Sequence, residues 1–304
     1  LHFDGLGAEN GQKAILLIMP IDNTDTPLSS YSSCQELLDA HLAELQKRFG
    51  MASWIITRLR NEELTVLRAR DDYYGLTQGK PLQWEKSDCA RMTEPGASCI
   101  ATNAQLHPCY RLAPINADLT IGAFICLPLM DRDNQLFGTL CALDPEPQNP
   151  ALERALPALQ HEARLISFLL ANALRDAQQQ RVSIFVEHPD RCEETGLPGQ
   201  QGWKDIQAQE QQHCRDFGVE SSVLYLQAPD NSDSLMIADS LAALLREQDS
   251  VAHLGNNHFR VLLADTDASK AEKVIHRIRD ALNAKQLLVR IKRQTLSPCP
   301  ETAI

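Results

Sequence analysis

The sequence predicts a mixed α+β / α/β chain: an antiparallel sheet with flanking helices, a connecting helix, then a truncated α/β sandwich. Three patterns carry this reading. Two pairs of short apolar runs, 53–59 with 64–69 and 122–129 with 136–143, are each closed by a polar turn, as β-hairpins require. A stretch from about 150 to 180 repeats apolar residues in steps of three and four, as a helix does. Beyond it, strand-like and helix-like segments alternate, which implies a layered α/β unit.

The elements follow in order. Residues 1–34 read as an irregular leader, since Asp22 to Ser33 is rich in Asp, Thr, Pro and Ser. Leu37, Leu38, Leu42, Leu45 and Phe49 space a helix over 35–49. The first hairpin turns at Asn61-Glu62-Glu63 and the second at Asp131 to Asn134; 75–120 between them is loop-rich, with Pro81, Pro95, Pro108 and Pro114. In the long helix, Leu156, Leu159, Ala163, Ile166, Leu170, Ala173 and Ala177 form a heptad-type seam, which predicts a homodimer through residues 156–177. Packing on the chain's own sheet is the plainer alternative, because so few turns do not separate the two periods. The domain reading is leader 1–34, first domain 35–150, connecting helix 151–181 and second domain 182–304. In the last, Val182 to Val186 is a first strand or a linker, and helices are expected at about 201–216, after Ser232 or Asp233, and at 268–283. Strands are expected at 221–226 and 287–291.

Composition narrows the function. The chain has 304 residues, 43% of them hydrophobic, enough for two cores. A net charge of −11 argues against nucleic acid and against anionic membrane as partners. Nine cysteines without a CxxC pair read as reduced thiols of a cytoplasmic protein. The apolar run Ala14 to Ile21 is broken by Pro20 and is too short to span a bilayer.

The most informative stretch is 246–265, REQDSVAHLGNNHFRVLLAD. Val251 to Leu254 and Phe259 to Ala264 flank Gly255, Asn256 and Asn257, residues that accept positive φ, so the unit predicts a hairpin. With the TGLP run at Thr195 to Pro198, it resembles the signature hairpin of GGDEF domains, the diguanylate cyclases, here written Gly255-Asn256-Asn257-His258-Phe259. The resemblance implies acidic metal ligands at the end of the strand after TGLP and at the third hairpin position. This chain has Gln227 and Asn257 there. Divalent cations that carry triphosphates need carboxylate oxygen, so no metal and no catalytic residue is expected and the domain reads as a degenerate, inactive cyclase. Only Gln227 to Ser232 fill the span where the family carries its substrate segment. The resemblance further implies that Arg246 and Asp249, an RxxD pair, form a cyclic di-GMP site. Arg offers a planar fork for phosphate or guanine.

The first half, through IGAFICLPL (121–129) and LFGTLCALDPEPQ (136–148), resembles a GAF domain. That family carries a ligand cavity on one face of its sheet, for which Trp84, Met92, Cys99, Tyr110, Phe124 and Cys126 are lining candidates. The expected function is a non-catalytic signalling sensor or adaptor, bacterial in type, with cyclic di-GMP or an unknown GAF ligand as its small molecule and a further protein as partner. Alternatives are a residual cyclase, a thiol-based methionine sulfoxide reductase using Cys89, Cys99 and Cys109, and a structural dimerisation module.

Overall fold

Helix α1 (Cys34–Phe49) starts where Ser33 caps it, the side chain accepting from the Glu36 N–H at 3.2 Å. It opens the part of the computed structural model that can be described, residues 31–91, 98–111 and 113–299. Residues 1–30 of the expected leader, including Ala14 to Ile21, and Met92 lie outside those residues, while Ser33 and Cys34, also placed in the leader, cap and begin α1.

Strands β1 (Ser53–Arg60), β2 (Glu63–Asp71), β3 (Pro81–Gln83), β4 (Ile100–Ala101), β5 (Ala123–Met130) and β6 (Leu136–Asp144) form one antiparallel sheet, ordered β3-β2-β1-β6-β5-β4. Gly138 makes the β1–β6 contact possible: a Cβ there would lie 1.9 Å from the Thr57 carbonyl oxygen. One face of the sheet is covered by Leu38, Leu42 and Leu45 of α1 and by Leu159, Ala163, Ile166 and Leu170 of α3 (Leu156–Glu187). The other face meets the irregular crossover, which holds the one-turn helix α2 (Asp88–Arg91).

The seam of α3 is therefore filled within the chain. Its first half packs on the sheet, while Ala173 and Ala177 pack against the second half of the chain. Of the seam residues, Leu159, Ala163, Ile166 and Leu170 are buried within the chain, while Leu156, Ala173 and Ala177 are half-buried. The face left outward carries Leu165 and Phe168, both exposed. Val182 to Val186 is neither strand nor linker, because α3 runs on to Glu187 and docks Ile184 and Phe185 into the following cores. A buried ion pair fixes that end: Arg181 donates to Glu210 from Nε at 2.8 Å and from Nη2 at 3.1 Å.

The second half runs α4 (Gln200–Phe217), β7 (Ser221–Gln227), α5 (Ser234–Leu244), β8 (Ser250–His253), β9 (His258–Leu263), α6 (Ala268–Ala284) and β10 (Arg290–Leu296). Its sheet is antiparallel, ordered β10-β7-β9-β8. Helices α5 and α6 bury Ile237, Leu241, Ile275, Ile278 and Leu282 on one face, and α4 sets Trp203, Ile206 and Phe217 in a separate cluster. The predicted strand 287–291 is displaced. Leu287 and Val289 pack as loop residues, and pairing begins only at Arg290, opposite Gln227.

Candidate functional site

The hairpin forms as its turn residues demand. Gly255, Asn256 and Asn257 have φ of 85°, 47° and 54°, and Leu254 donates to the His258 carbonyl at 2.8 Å. Asn257 is buried, and its amide is fully used. Nδ2 donates to the carbonyls of Pro229 at 2.9 Å, Asp230 at 3.3 Å and Ser232 at 3.3 Å, while Oδ1 accepts from the Ser234 hydroxyl. One side chain thus closes the short β7–α5 connection. A carboxylate here would face three carbonyl oxygens with nothing to donate. Gln227 is exposed at the end of β7, opposite His258.

Arg246 and Asp249 meet just before β8. The Asp249 side chain is 2% exposed and accepts from the Arg246 N–H at 3.1 Å, from Arg246 Nε at 3.2 Å, from Nη2 at 3.1 Å and from the Ala264 N–H at 3.1 Å. Arg246 also donates to the Ala264 carbonyl at 3.2 Å and to the Thr266 hydroxyl at 2.8 Å, yet its side chain remains 52% exposed. Asp249 is therefore a holder of the guanidinium and not a free acceptor. The next carbonyl, of Asp265, accepts from Arg60 of β1 at 2.9 Å. Burial raises the Asp265 carboxyl, but the His213 hydrogen bond and the charges of His213, Arg181 and Arg58 outweigh it and bring it down to about 2. The turn that seats Arg246 is thus tied to the first half of the chain. Arg60 and this link carried no local sequence signal, because they join residues far apart in the chain.

On the crossover face of the first sheet, Phe124 lines a small cavity of about 30 Å³, together with Ile55, Thr57, Asp88, Cys89 and Cys141. Tyr110 and Cys126 belong to the same cluster, and Trp84 packs at its edge. Cys99 is corrected: it packs against the opposite, helix-covered face. Cys89 consequently does not meet Cys99; its sulfur neighbours are Cys141 at 3.0 Å and Cys126. Burial, then the neighbouring Cys89, raises the Asp88 carboxyl to about 7, with Arg91 opposing. A roomier concavity of about 350 Å³ lies between the β5–β6 turn and α3, lined by Arg132, Phe137, Leu174 and Arg175 among others. A third group joins Cys192 and Thr195 to His253 Nδ1 at 3.2 and 3.3 Å, with Glu194 beside them. Burial lowers the His253 pKa, which favours the neutral ring.

The GAF domain family model matches residues 33–174, and this part of the chain is a GAF domain. No curated protein matches the chain. Among solved structures, the chain is similar to PelD from Pseudomonas aeruginosa PA14 in complex with c-di-GMP, at 17% identity over 91% of this chain and 88% of that one, TM-score 0.31. It is also similar to the FimX GGDEF domain from Pseudomonas aeruginosa, at 15% identity over 38% of this chain and 84% of that one, TM-score 0.35. The GAF domain of an Acinetobacter phosphoenolpyruvate-protein phosphotransferase matches at 20% identity over 48% of this chain and 86% of that one, TM-score 0.40. Among the described residues, no helix is long and apolar enough to cross a membrane.

Proposed function

We propose that the chain is a non-catalytic signalling module, a GAF sensor coupled to a degenerate GGDEF-like unit that takes cyclic di-GMP at Arg246. One observation carries the reading: a half-exposed guanidinium is held on one side by the buried Asp249 carboxylate. A fork fixed in this way loses little freedom when it grips a phosphate or a guanine edge. The role of Asp249 is to position it.

The Asn257 arrangement supports the loss of synthase chemistry. The β7–α5 connection is held by an amide whose donors and acceptor are already used. The Gln227 end of β7 adds no charge. Dinucleotide at Arg246 would act on Ala264 and Thr266, and so on Asp265, which meets Arg60, His213 and Arg181. That turn gives the ligand a route to the GAF domain and α3, and so to a partner surface. A homodimer through α3 would rest on Leu165 and Phe168, large apolar side chains that the helix exposes.

Incubation of the full chain with GTP and Mg²⁺, followed by chromatography of the nucleotides, tests the catalytic half of this reading. The expected result is unchanged GTP. Formation of cyclic dinucleotide would replace the receptor with a working synthase. Saturating cyclic di-GMP should also raise the unfolding midpoint of the wild type and leave that of Arg246→Ala unmoved.

A further inference from the structure

Three buried thiols meet at one point on the crossover face of the GAF sheet. Cys126 and Cys141 are direct partners across β5 and β6. The Cys126 N–H is turned to the Cys99 carbonyl on the β4 side, so the two face each other at a position of the ladder where side chains lie closest. Cys89 of α2 comes down onto the pair. Cys141 Sγ lies 3.0 Å from Cys89 Sγ and 3.3 Å from Cys126 Sγ, and all three sulfurs lie within 4.8 Å of one another. The Thr139 hydroxyl is 3.1 Å from Cys141 Sγ.

A second, independent observation lies beside Cys89 and Cys141, which also line a small cavity. Asp88 lines this cavity and is 2% exposed, and neither of its carboxyl oxygens meets a hydrogen-bond partner among the described residues. Buried polar groups are seldom left so. The cavity, at about 30 Å³, is close to the volume of one water molecule and far below that of an organic ligand. Three sulfurs make a soft donor set, which selects zinc-class or cuprous ions over magnesium or calcium. Trigonal coordination at about 2.3 Å would set the sulfurs about 4.0 Å apart, reached by opening the observed spacing through small χ1 rotations. Charge decides between the soft ions. Three thiolates leave one negative charge around a divalent ion and two around a monovalent one, and the apolar walls penalise the second more.

We propose that Cys89, Cys126 and Cys141 form a three-thiolate site for one thiophilic divalent ion of the zinc class inside the GAF domain. Binding replaces three S–H bonds with three metal–sulfur bonds and releases the protons to water, so affinity falls as pH falls. A disulfide from Cys141 to either neighbour would leave the third thiol unpaired.

The test uses the full chain, reduced and stripped with a chelator, then loaded with zinc and freed of excess metal. X-ray absorption at the zinc edge should show one retained equivalent with three sulfur scatterers at about 2.3 Å. Titration with Cd²⁺ should give a thiolate charge-transfer band that saturates at the same stoichiometry. Cys141→Ser should weaken metal binding more than about 100-fold, while Cys192→Ser leaves it unchanged. The wild-type scattering shell is decisive even if the core variant fails to fold. A shell with one sulfur and light atoms would assign the metal to Cys192, Glu194 and His253 and overturn the proposal. So would absence of retained zinc, or pairing of these thiols as a disulfide in place of metal uptake.

Discussion

Asn257 and Arg246 stand on opposite sides of strand β8, and their side chains are used in opposite ways. Asn257 is buried, with its amide spent on the chain's own carbonyls and the Ser234 hydroxyl. Arg246 spends part of its fork on Asp249 and Thr266 and leaves half of its side chain in solvent. A polar group whose partners are all internal has become structure. One that is anchored from beneath and open above keeps binding capacity. On the proposed reading, the difference separates the place where synthase chemistry would sit from the place where a product-like dinucleotide would be held.

The largest expected effect tests the frame shared by both regions. Arg181→Met removes one member of a buried pair and strands Glu210, whose side chain is 1% exposed. Urea denaturation should show a loss of about 3–5 kcal/mol. A loss near zero would mean the two halves do not depend on this pair.

Asn257→Asp probes the closed side of the comparison. The carboxylate keeps the acceptor and removes the donors, so the carbonyls at 229, 230 and 232 lose the Asn257 amide. Destabilisation of about 2–3 kcal/mol is expected. Recovery of that loss by millimolar Mg²⁺ would break the contrast, since it would show a cation cradle one atom away from function.

Acid should act through Asp265. Its folded carboxyl, at about 2, lies below the unfolded value near 4, so the stabilisation is complete above about pH 4 and is lost as pH falls toward 2. That depression corresponds to about 2.5 kcal/mol. Asp265→Asn should flatten that part of the pH–stability curve. An unchanged curve would remove the charge link between the Arg246 turn and the GAF domain.

What the sequence revealed and what it hid follow from the range of the interactions. The Gly255-Asn256-Asn257 turn is local: positive φ is demanded and three suitable residues supply it, so the hairpin was legible. The helical stripe of α6 was legible for the same reason. Val182 to Val186 looked strand-like because its β-branched and aromatic residues favour strands, but packing of Ile184 and Phe185 keeps them in α3. The periodicity of Leu159, Ala163, Ile166 and Leu170 was plain, whereas the surface it covers was not. RxxD marked the pair but not the division of labour within it. Cys126 and Cys141 become neighbours only through the β5–β6 register, and Cys89 joins them across a long crossover, so no spacing in the chain announced the cluster.

The central claim is most directly tested by calorimetric titration of cyclic di-GMP into the full chain and into Arg246→Ala. The account predicts saturable heat with the wild type and a loss of affinity of at least about tenfold in the variant. Wild-type protein that gives no heat at high ligand concentration, or a variant that binds as tightly as the wild type, would contradict it.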